Sequence, residues 1–216
     1  MQTQHIRHNH DNSALIVYFA GWGTSPELVR HWQLPSDTDV LLCWDYRNLT
    51  LDFDFTRYQS LYLVAWSMGV WAAEQCVADL SFVRAVAING TPLLIHDDLA
   101  IVQAVFEGTL HGFDEQTRTK FERRMCGNRE LLHAYQASPL RPTAQIHQEL
   151  MAVYQAMPQA KRPSIAWQKA IIGRQDKIFP SANQLEFWRQ TGCQIVQLDV
   201  PHFALMAFDD WSDVLC

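Results

Sequence analysis

The sequence predicts a single α/β domain with a mainly parallel β-sheet and helices on both faces of that sheet. Short, continuous apolar runs alternate along the chain with stretches of helical character, and such runs suit strands that are buried on both faces. The chain has 216 residues, which is enough for one such domain. Its composition, 48% hydrophobic and 19% charged, is globular and argues against the disordered, collagen-like and low-complexity classes.

The apolar runs set the order of the predicted elements on either side of the middle of the chain. Strands are expected at 2–8, 14–20, 40–44, 61–66, 85–89, 165–172 and 194–198, the first of them at an edge. Helices are expected from Pro26 to about Gln33 with Ser25 as the N-cap, at 68–79, at 182–191 and shortly after His202. This alternation is typical of a parallel sheet.

The middle of the chain predicts helices and no strand. Helical patterns lie near 97–107, 114–126, 128–137 and 142–156, separated by glycines and prolines. We therefore expect a core at 1–92 and 161–216, interrupted by a helical lid insertion at 93–160.

Charge and cysteine usage narrow the functional classes. The net charge of −6 argues against a surface that binds nucleic acid or an anionic membrane. The amino-terminal stretch MQTQHIRHNHDNS is polar and has no apolar h-region, and the first apolar run, 14–20, has only seven residues. We therefore expect no signal peptide, no membrane span and a cytoplasmic location. The five cysteines lack CxxC or other metal spacing, which indicates reduced thiols and no metal site.

The segment 61–69, LYLVAWSMG, is typical of a nucleophile elbow, in which a buried strand turns sharply into a helix. The catalytic serine of such a turn would be Ser67. Its neighbours two positions away must be small, and here they are Ala65, where glycine is usual, and Gly69. The alternative is that Ser67 only caps the helix.

A serine hydroxyl needs a base, and the base needs an acid that orients it. On this type of sheet the chain order is serine, acid, histidine, each after a strand. Asp176 and His202 satisfy that order. Asp199 is a rival acid that lies close to the last strand, and Asp176 could instead cap a loop turn.

Acyl transfer also requires N–H donors for the oxyanion. We expect them to be the backbone N–H groups of Met68, directly after the serine, and of Trp22, in the glycine-flanked loop after an early strand. The rival interpretation of Gly21-x-Gly23, half of a dinucleotide fingerprint, lacks its third glycine because Pro26 stands there.

Four segments together resemble the α/β-hydrolase superfamily: FAGWG at 19–23, AWSMG at 65–69, GRQD at 173–176 and PHFALMAF at 201–208. More closely, they resemble the BioG-type pimeloyl-[acyl-carrier protein] methyl ester esterases of biotin synthesis. The resemblance implies that Ser67 attacks the methyl ester, that His202 transfers the proton and that Asp176 orients His202. It also implies acyl carrier protein as the partner that bears the substrate, and neither a metal nor an organic cofactor.

An acidic enzyme that receives an acidic carrier protein needs a local basic surface. Eight of the 17 Lys and Arg residues lie between 118 and 162, and the docking candidates among them are Lys120, Arg123, Arg124 and Arg129. Lys120, Arg123 and Arg124 share a helix face. The alternative is a solvated face whose basic residues pair with Glu115 and Glu122.

Two other functions stay open at this stage. One keeps the triad but takes other substrates, as a general carboxylesterase or thioesterase for small acyl groups. The other is a non-catalytic binding module on a hydrolase scaffold, because a fold does not determine a function.

Overall fold

The computed structural model describes residues 1–7 and 12–216, and its centre is a seven-stranded sheet with the order β1-β3-β2-β4-β5-β6-β7. The strands are β1 (Gln2–Ile6), β2 (Ala14–Phe19), β3 (Thr38–Trp44), β4 (Ser60–Trp66), β5 (Arg84–Ile88), β6 (Lys169–Gly173) and β7 (Gln194–Leu198). All neighbouring pairs are parallel except β1 with β3. The predicted α/β class with a mainly parallel sheet is confirmed. Residue 8 of the predicted edge strand lies outside the described residues.

Seven α-helices and three short 3-10 helices accompany the sheet in the described part of the chain. The α-helices are α1 (Met68–Cys76), α2 (Gln103–Gly112), α3 (Glu115–Cys126), α4 (Arg129–Gln136), α5 (Thr143–Ala156), α6 (Ser181–Arg189) and α7 (Trp211–Leu215). The 3-10 helices are Pro26–Val29, Met157–Gln159 and Leu205–Ala207. Helices α2–α5 all fall between β5 and β6, within residues 93–160.

Tertiary contacts shorten the helix expected after Ser25. It is a 3-10 turn over Pro26–Val29, and the Ser25 side chain makes no capping bond. The chain leaves helical geometry because the Trp32 ring N–H donates to the Leu205 carbonyl at 3.0 Å and the Gln33 N–H donates to the Asp209 carbonyl at 2.9 Å. The prediction of a helix to Gln33 is therefore wrong.

Two other boundaries differ for similar reasons. The helix expected at 97–107 begins at Gln103, whose N–H is taken by the Asp97 carboxylate at 2.9 Å, and it continues through Gly108. The strand expected at 165–172 begins at Lys169, because the Ile165 N–H bonds to a Glu74 carboxylate at 3.1 Å. In both cases a side chain takes a backbone group that the regular element would have used.

The core lies on both faces of the sheet. In β2, every residue from Leu15 to Phe19 is at most 1% exposed, as a central parallel strand requires. In residues 1–7 and 12–216, no helix has both the length and the apolar character needed to cross a bilayer. The carboxyl ends of the parallel strands meet at one edge, and the loops that follow β2, β4, β6 and β7 carry the candidate site.

Candidate active site

Ser67 occupies a sharp turn between β4 and α1. Its backbone φ is +59°, in a region that L-residues rarely adopt, and its N–H bonds to the Ile88 carbonyl at 2.8 Å. The side chain is nearly buried, with 6% of the residue exposed. This backbone geometry lifts the hydroxyl out of the strand end, which is the purpose of a strand–turn–helix elbow.

The turn is possible because its neighbours are small. A Cβ on Gly69 would lie 2.7 Å from the Ala20 carbonyl oxygen and closer still to that of Phe19. A Cβ on Gly90 would lie 2.5 Å from the carbonyl oxygen of Ser67. Ala65, the departure from the usual glycine, is fully buried without disturbing the turn.

His202 and Asp176 reach Ser67 in one hydrogen-bonded chain. The Nε2 atom of His202 lies 2.8 Å from Ser67 Oγ, and its Nδ1 atom lies 2.8 Å from Asp176 Oδ2. His202 is 1% exposed and Asp176 5% exposed, so water competes little for these contacts. Residues 26 and 135 positions apart in sequence are thus brought together.

The Asp176 carboxylate is held from three sides. Its Oδ1 accepts the backbone N–H groups of Ile178 at 2.8 Å and Phe179 at 3.0 Å, and its Oδ2 also accepts the Gln184 side-chain amide at 2.9 Å. These donors leave the carboxylate one orientation, with Oδ2 towards His202. The rival Asp199 instead accepts from Gln175 at the surface.

His202 is held through its backbone and its ring faces. Its carbonyl accepts from the Trp66 ring N–H at 3.1 Å and from the Asn89 amide at 2.9 Å. The Phe179 ring stacks on the imidazole with centroids 6.2 Å apart and planes 7° apart. Trp66 is the last residue of β4 and Asn89 directly follows β5, so the sheet itself sets the histidine position.

Backbone donors lie beside the serine. Gly21, Trp22 and Met68 line the same pocket as Ser67 and His202. Neither the Trp22 nor the Met68 backbone N–H has an acceptor among the described residues of the chain. The Trp22 ring is anchored to the insertion, because its Nε1 donates to the Ile146 carbonyl at 2.9 Å.

The pocket opens to solvent, and its empty space, part of which is open solvent, amounts to about 530 Å³. Most of its wall is apolar; the insertion contributes Ile101, Val105, Phe106, Phe121, Met125 and Leu150. Among the described residues that line it, Arg124 is the only Lys or Arg. A wider groove, lined by residues of α2 and α3 that include Lys120, adjoins the pocket. The pocket and the groove share Val105, Thr109, Phe121 and Arg124.

The four docking candidates are exposed on α3 and at the start of α4. Lys120, Arg123, Arg124 and Arg129 form no ion pair with any described residue. Glu122, one suggested partner, is buried and instead pairs with Arg118 at 2.8 Å.

Two other basic residues of this region are structural. Arg118 is buried against Glu122, and Arg141 pairs with Asp45 at 2.9 Å and Glu149 at 2.6 Å. They are therefore not available to a partner. In the described part of the chain, no cluster of three or more His, Cys, Asp or Glu residues could hold a metal ion.

Comparison with known proteins places this chain in a family. A family model described as BioG, pimeloyl-ACP methyl esterase, matches residues 1–214. The chain belongs to the BioG family. BioG from Haemophilus influenzae is 42% identical to this chain in sequence. Its crystal structure superposes on this structure with a TM-score of 0.95, and the match covers 100% of both chains.

Two further comparisons concern another relative in sequence and a more distant neighbour in structure. A Bacteroides fragilis protein named malonyl-[acyl-carrier protein] O-methyltransferase is 41% identical over 194 residues, 87% of this chain and 39% of that protein. The enol-lactonase of Burkholderia xenovorans is 15% identical with a TM-score of 0.64 over 95% of this chain and 90% of its own. At that identity the likeness concerns the fold, which is the α/β-hydrolase fold.

Sequence patterns did not single out three buried polar residues of this region, namely Asn89, Gln184 and Glu149. Asn89, which follows β5, bonds to the carbonyls of Pro201 and His202, and Gln184 on α6 bonds to Asp176. Glu149 on α5 is fully buried; burial raises its pKa, and the Arg141 guanidinium opposes that rise. For Glu149, the signal in the sequence is a glutamate on the otherwise apolar face of α5.

Proposed function

We propose that this BioG-family chain is a serine esterase that hydrolyses the methyl ester of pimeloyl-[acyl-carrier protein] to pimeloyl-[acyl-carrier protein] and methanol. The observation that carries the proposal is the hydrogen-bonded chain Asp176–His202–Ser67 on the wall of an apolar pocket. The family description supplies the substrate class.

In the first half of the reaction, Ser67 Oγ attacks the ester carbonyl carbon while its proton passes to His202 Nε2 across 2.8 Å. The carbonyl oxygen becomes an oxyanion, which the Trp22 and Met68 N–H groups stabilise. The tetrahedral intermediate collapses, His202 protonates the methoxy group, and methanol leaves. Asp176 holds the imidazole in orientation and stabilises its charged form.

In the second half, a water molecule attacks the acyl-enzyme carbonyl and gives its proton to His202. As the second tetrahedral intermediate collapses and the C–O bond to the serine breaks, His202 returns that proton to Ser67 Oγ. The product carries a free carboxyl group where the substrate had a methyl ester.

The lining of the pocket supports a neutral ester at the end of a methylene chain. Apolar side chains such as Ile101, Phe106 and Leu150 remove methylene groups from water. The product carboxylate would be poorly solvated in the same pocket, which favours its release.

Carrier docking belongs to the same proposal. Acyl carrier proteins are strongly acidic, and Lys120, Arg123, Arg124 and Arg129 form a local basic surface on an acidic chain. These four residues are exposed and have no ion-pair partner among the described residues. Arg124 lines both the pocket and the adjoining groove, so a carrier held there would be close to the path of its acyl chain. In this proposal residues 93–160 act as the lid that the core at 1–92 and 161–216 carries.

The test compares the wild type with Ser67→Ala on carrier-bound pimeloyl methyl ester. We expect kcat to fall by about 10⁴- to 10⁶-fold with folding unchanged by circular dichroism, because the nucleophile is lost. A fluorophosphonate should add one label per wild-type chain and none to the variant, as measured by intact mass.

Two results would contradict the proposal in different ways. A folded wild type that takes no label would favour the binding module. Equal kcat/KM for the carrier-bound ester and for a free short-chain nitrophenyl ester would favour a general carboxylesterase.

A further inference from the structure

The turn at Gly21–Thr24 carries the Trp22 N–H that the proposed mechanism directs at the oxyanion. The Thr24 N–H and hydroxyl both donate to the Gly21 carbonyl, at 3.3 and 2.6 Å, and Gly23 has a φ of +71°. These features determine the internal shape of the turn. Its direction relative to Ser67 depends on the groups that hold it from outside.

Helix α5 of the insertion provides that hold. Glu149 Oε2 accepts the Gly23 N–H at 3.2 Å, and the Ile146 carbonyl accepts the Trp22 ring N–H at 2.9 Å. The Ile146 side chain also packs on Gly23, where a Cβ would come within 2.8 Å of its methyl group. Ile146 and Glu149 are three residues apart, so one face of α5 makes all three contacts.

The Glu149 carboxylate is itself fixed. Its Oε1 accepts the Tyr46 N–H at 2.8 Å, and its Oε2 also accepts from Arg141 at 2.6 Å. Arg141 is within 2.9 Å of Asp45, and the Tyr46 hydroxyl donates at 2.6 Å to the carbonyl of Ala20, directly before the turn. The loops after β2 and β3 are thereby joined to the insertion through one fully buried carboxylate.

We propose that Glu149 is a positioning residue for ester hydrolysis: its carboxylate orients the Gly21–Thr24 turn so that the Trp22 N–H meets the developing oxyanion. The inference rests on the proposed function. It gives the helical insertion a second role, because α5 then sets the strength of the oxyanion hole in addition to lining the pocket.

A positioning role and a merely structural role predict different kinetics. An oxyanion donor acts on charge that exists only near the transition state, so a misplaced donor lowers kcat and leaves KM nearly unchanged. If Glu149 only neutralised Arg141, its loss would reduce stability or distort the pocket, and KM would rise.

The experiment is Glu149→Gln. Glutamine has the same size but one acceptor oxygen, so the Gly23 or the Tyr46 N–H loses its acceptor and faces an amide N–H. We expect kcat to fall by about 10- to 100-fold and KM to stay within about twofold. The inhibition constant of an alkyl boronic acid, whose adduct on Ser67 places an anionic oxygen in the oxyanion hole, should rise by the factor that kcat/KM loses.

The matched control is Glu122→Gln, which removes another buried, arginine-paired carboxylate of the insertion. Its hydrogen-bond partners among the described residues are Arg118 and Gln136, not the turn. We expect its kcat and boronic acid inhibition to remain within about twofold of wild type. If Glu149→Gln does not fold, Glu149→Asp keeps the charge but withdraws the oxygens by one methylene, and the same kcat-specific loss is expected.

The inference is overturned if the folded Glu149 variant keeps wild-type kcat, if KM rises in proportion to the loss, or if boronic acid inhibition is unchanged while kcat falls. A wild type that forms no adduct at Ser67 overturns the proposed function and this inference together. A loss confined to the Glu149 variants would concern positioning alone, so the two failures are distinguishable.

Discussion

Ser67 is held in a strained backbone conformation because its environment leaves it no other. A positive φ on a residue other than glycine costs about 1–3 kcal/mol, and such strain persists only where the surroundings over-determine it. Here the bond from the Ser67 N–H to the Ile88 carbonyl and the close approach of Gly69 to the end of β2 impose the turn. The position of the proposed nucleophile therefore depends directly on the backbone packing around it.

Gly69→Ala tests that close approach. The new Cβ would collide with the carbonyl oxygens of Phe19 and Ala20, which are backbone atoms that cannot move aside cheaply. We expect the free energy of unfolding in urea to fall by about 3 kcal/mol, at the upper end of overpacking costs. Esterase activity should fall as well, because the turn that carries Ser67 must shift.

Gly108→Ala is the matched control for this substitution. Gly108 is also helical, in α2, but a Cβ there meets nothing within 4 Å. Alanine should raise the free energy of unfolding by about 0.5–1 kcal/mol through helix propensity. If both glycine variants lost equal stability, the steric account of the elbow would be wrong.

At the scale of elements, Glu74 on α1 holds the segment that leads from the insertion back to the core. The Glu74 carboxylate is fully buried and accepts the N–H groups of Ser164 at 2.8 Å and Ile165 at 3.1 Å, and the Trp167 ring N–H at 2.8 Å. This one side chain delays the start of β6 and determines where the returning segment lies. The helix that begins directly after Ser67 thus also anchors the end of the insertion.

Glu74→Ala should loosen that anchor. One buried and two partly buried donors would lose their acceptor, so we expect the free energy of unfolding to fall by about 2–4 kcal/mol. Urea titration followed by circular dichroism measures the change. Glu186→Ala, at an exposed position of α6, should stay within about 0.5 kcal/mol of wild type. A similarly small loss of unfolding free energy for Glu74→Ala would mean that water can replace Glu74 as the hydrogen-bond acceptor of the returning segment.

At the scale of the whole molecule, the net charge is negative but one local surface is positive. The chain carries a net charge of −6, yet its exposed basic residues on α3 lie beside the groove that leads to the pocket. An acidic partner would be repelled at long range by the net charge and attracted at short range by the local basic surface. The orientation of the partner as it approaches would therefore depend on that surface. Added salt shortens the Debye length and would therefore weaken that attraction.

The double variant Lys120→Glu/Arg123→Glu tests the patch. We expect kcat/KM for carrier-bound pimeloyl methyl ester to fall about tenfold or more at low ionic strength, and the difference to shrink as salt is added. Hydrolysis of a free methyl ester should stay unchanged, because neither residue lines the pocket.

Arg57→Glu/Arg189→Glu makes the same change of net charge at exposed positions away from the pocket, and it should leave both substrates unaffected. Equal losses in the two double variants would show that net charge, and not the patch on α3, governs the carrier-bound reaction.

The existence of the seven strands, the turn at Ser67 and the chain order of the candidate triad residues could be predicted from the sequence. The reason is that these features are encoded locally: a buried strand is a continuous apolar run, and the turn at Ser67 requires small residues within two positions of it. The predicted helix to Gln33 and the predicted start of a strand before Lys169 were wrong. In each case a distant side chain or carbonyl bonds to a backbone N–H that the regular element would have used.

The pairing of buried polar residues could be read from the folded structure alone. Gly23 and Glu149 are 126 residues apart, and Asn89 lies 113 residues from the His202 carbonyl that it holds. It also separated the exposed Lys120 and Arg123 from the buried Arg118, although all three lie on one helix. Sequence spacing carries no information about such partners, because the free energy of a buried polar group depends on what the fold places within hydrogen-bonding distance.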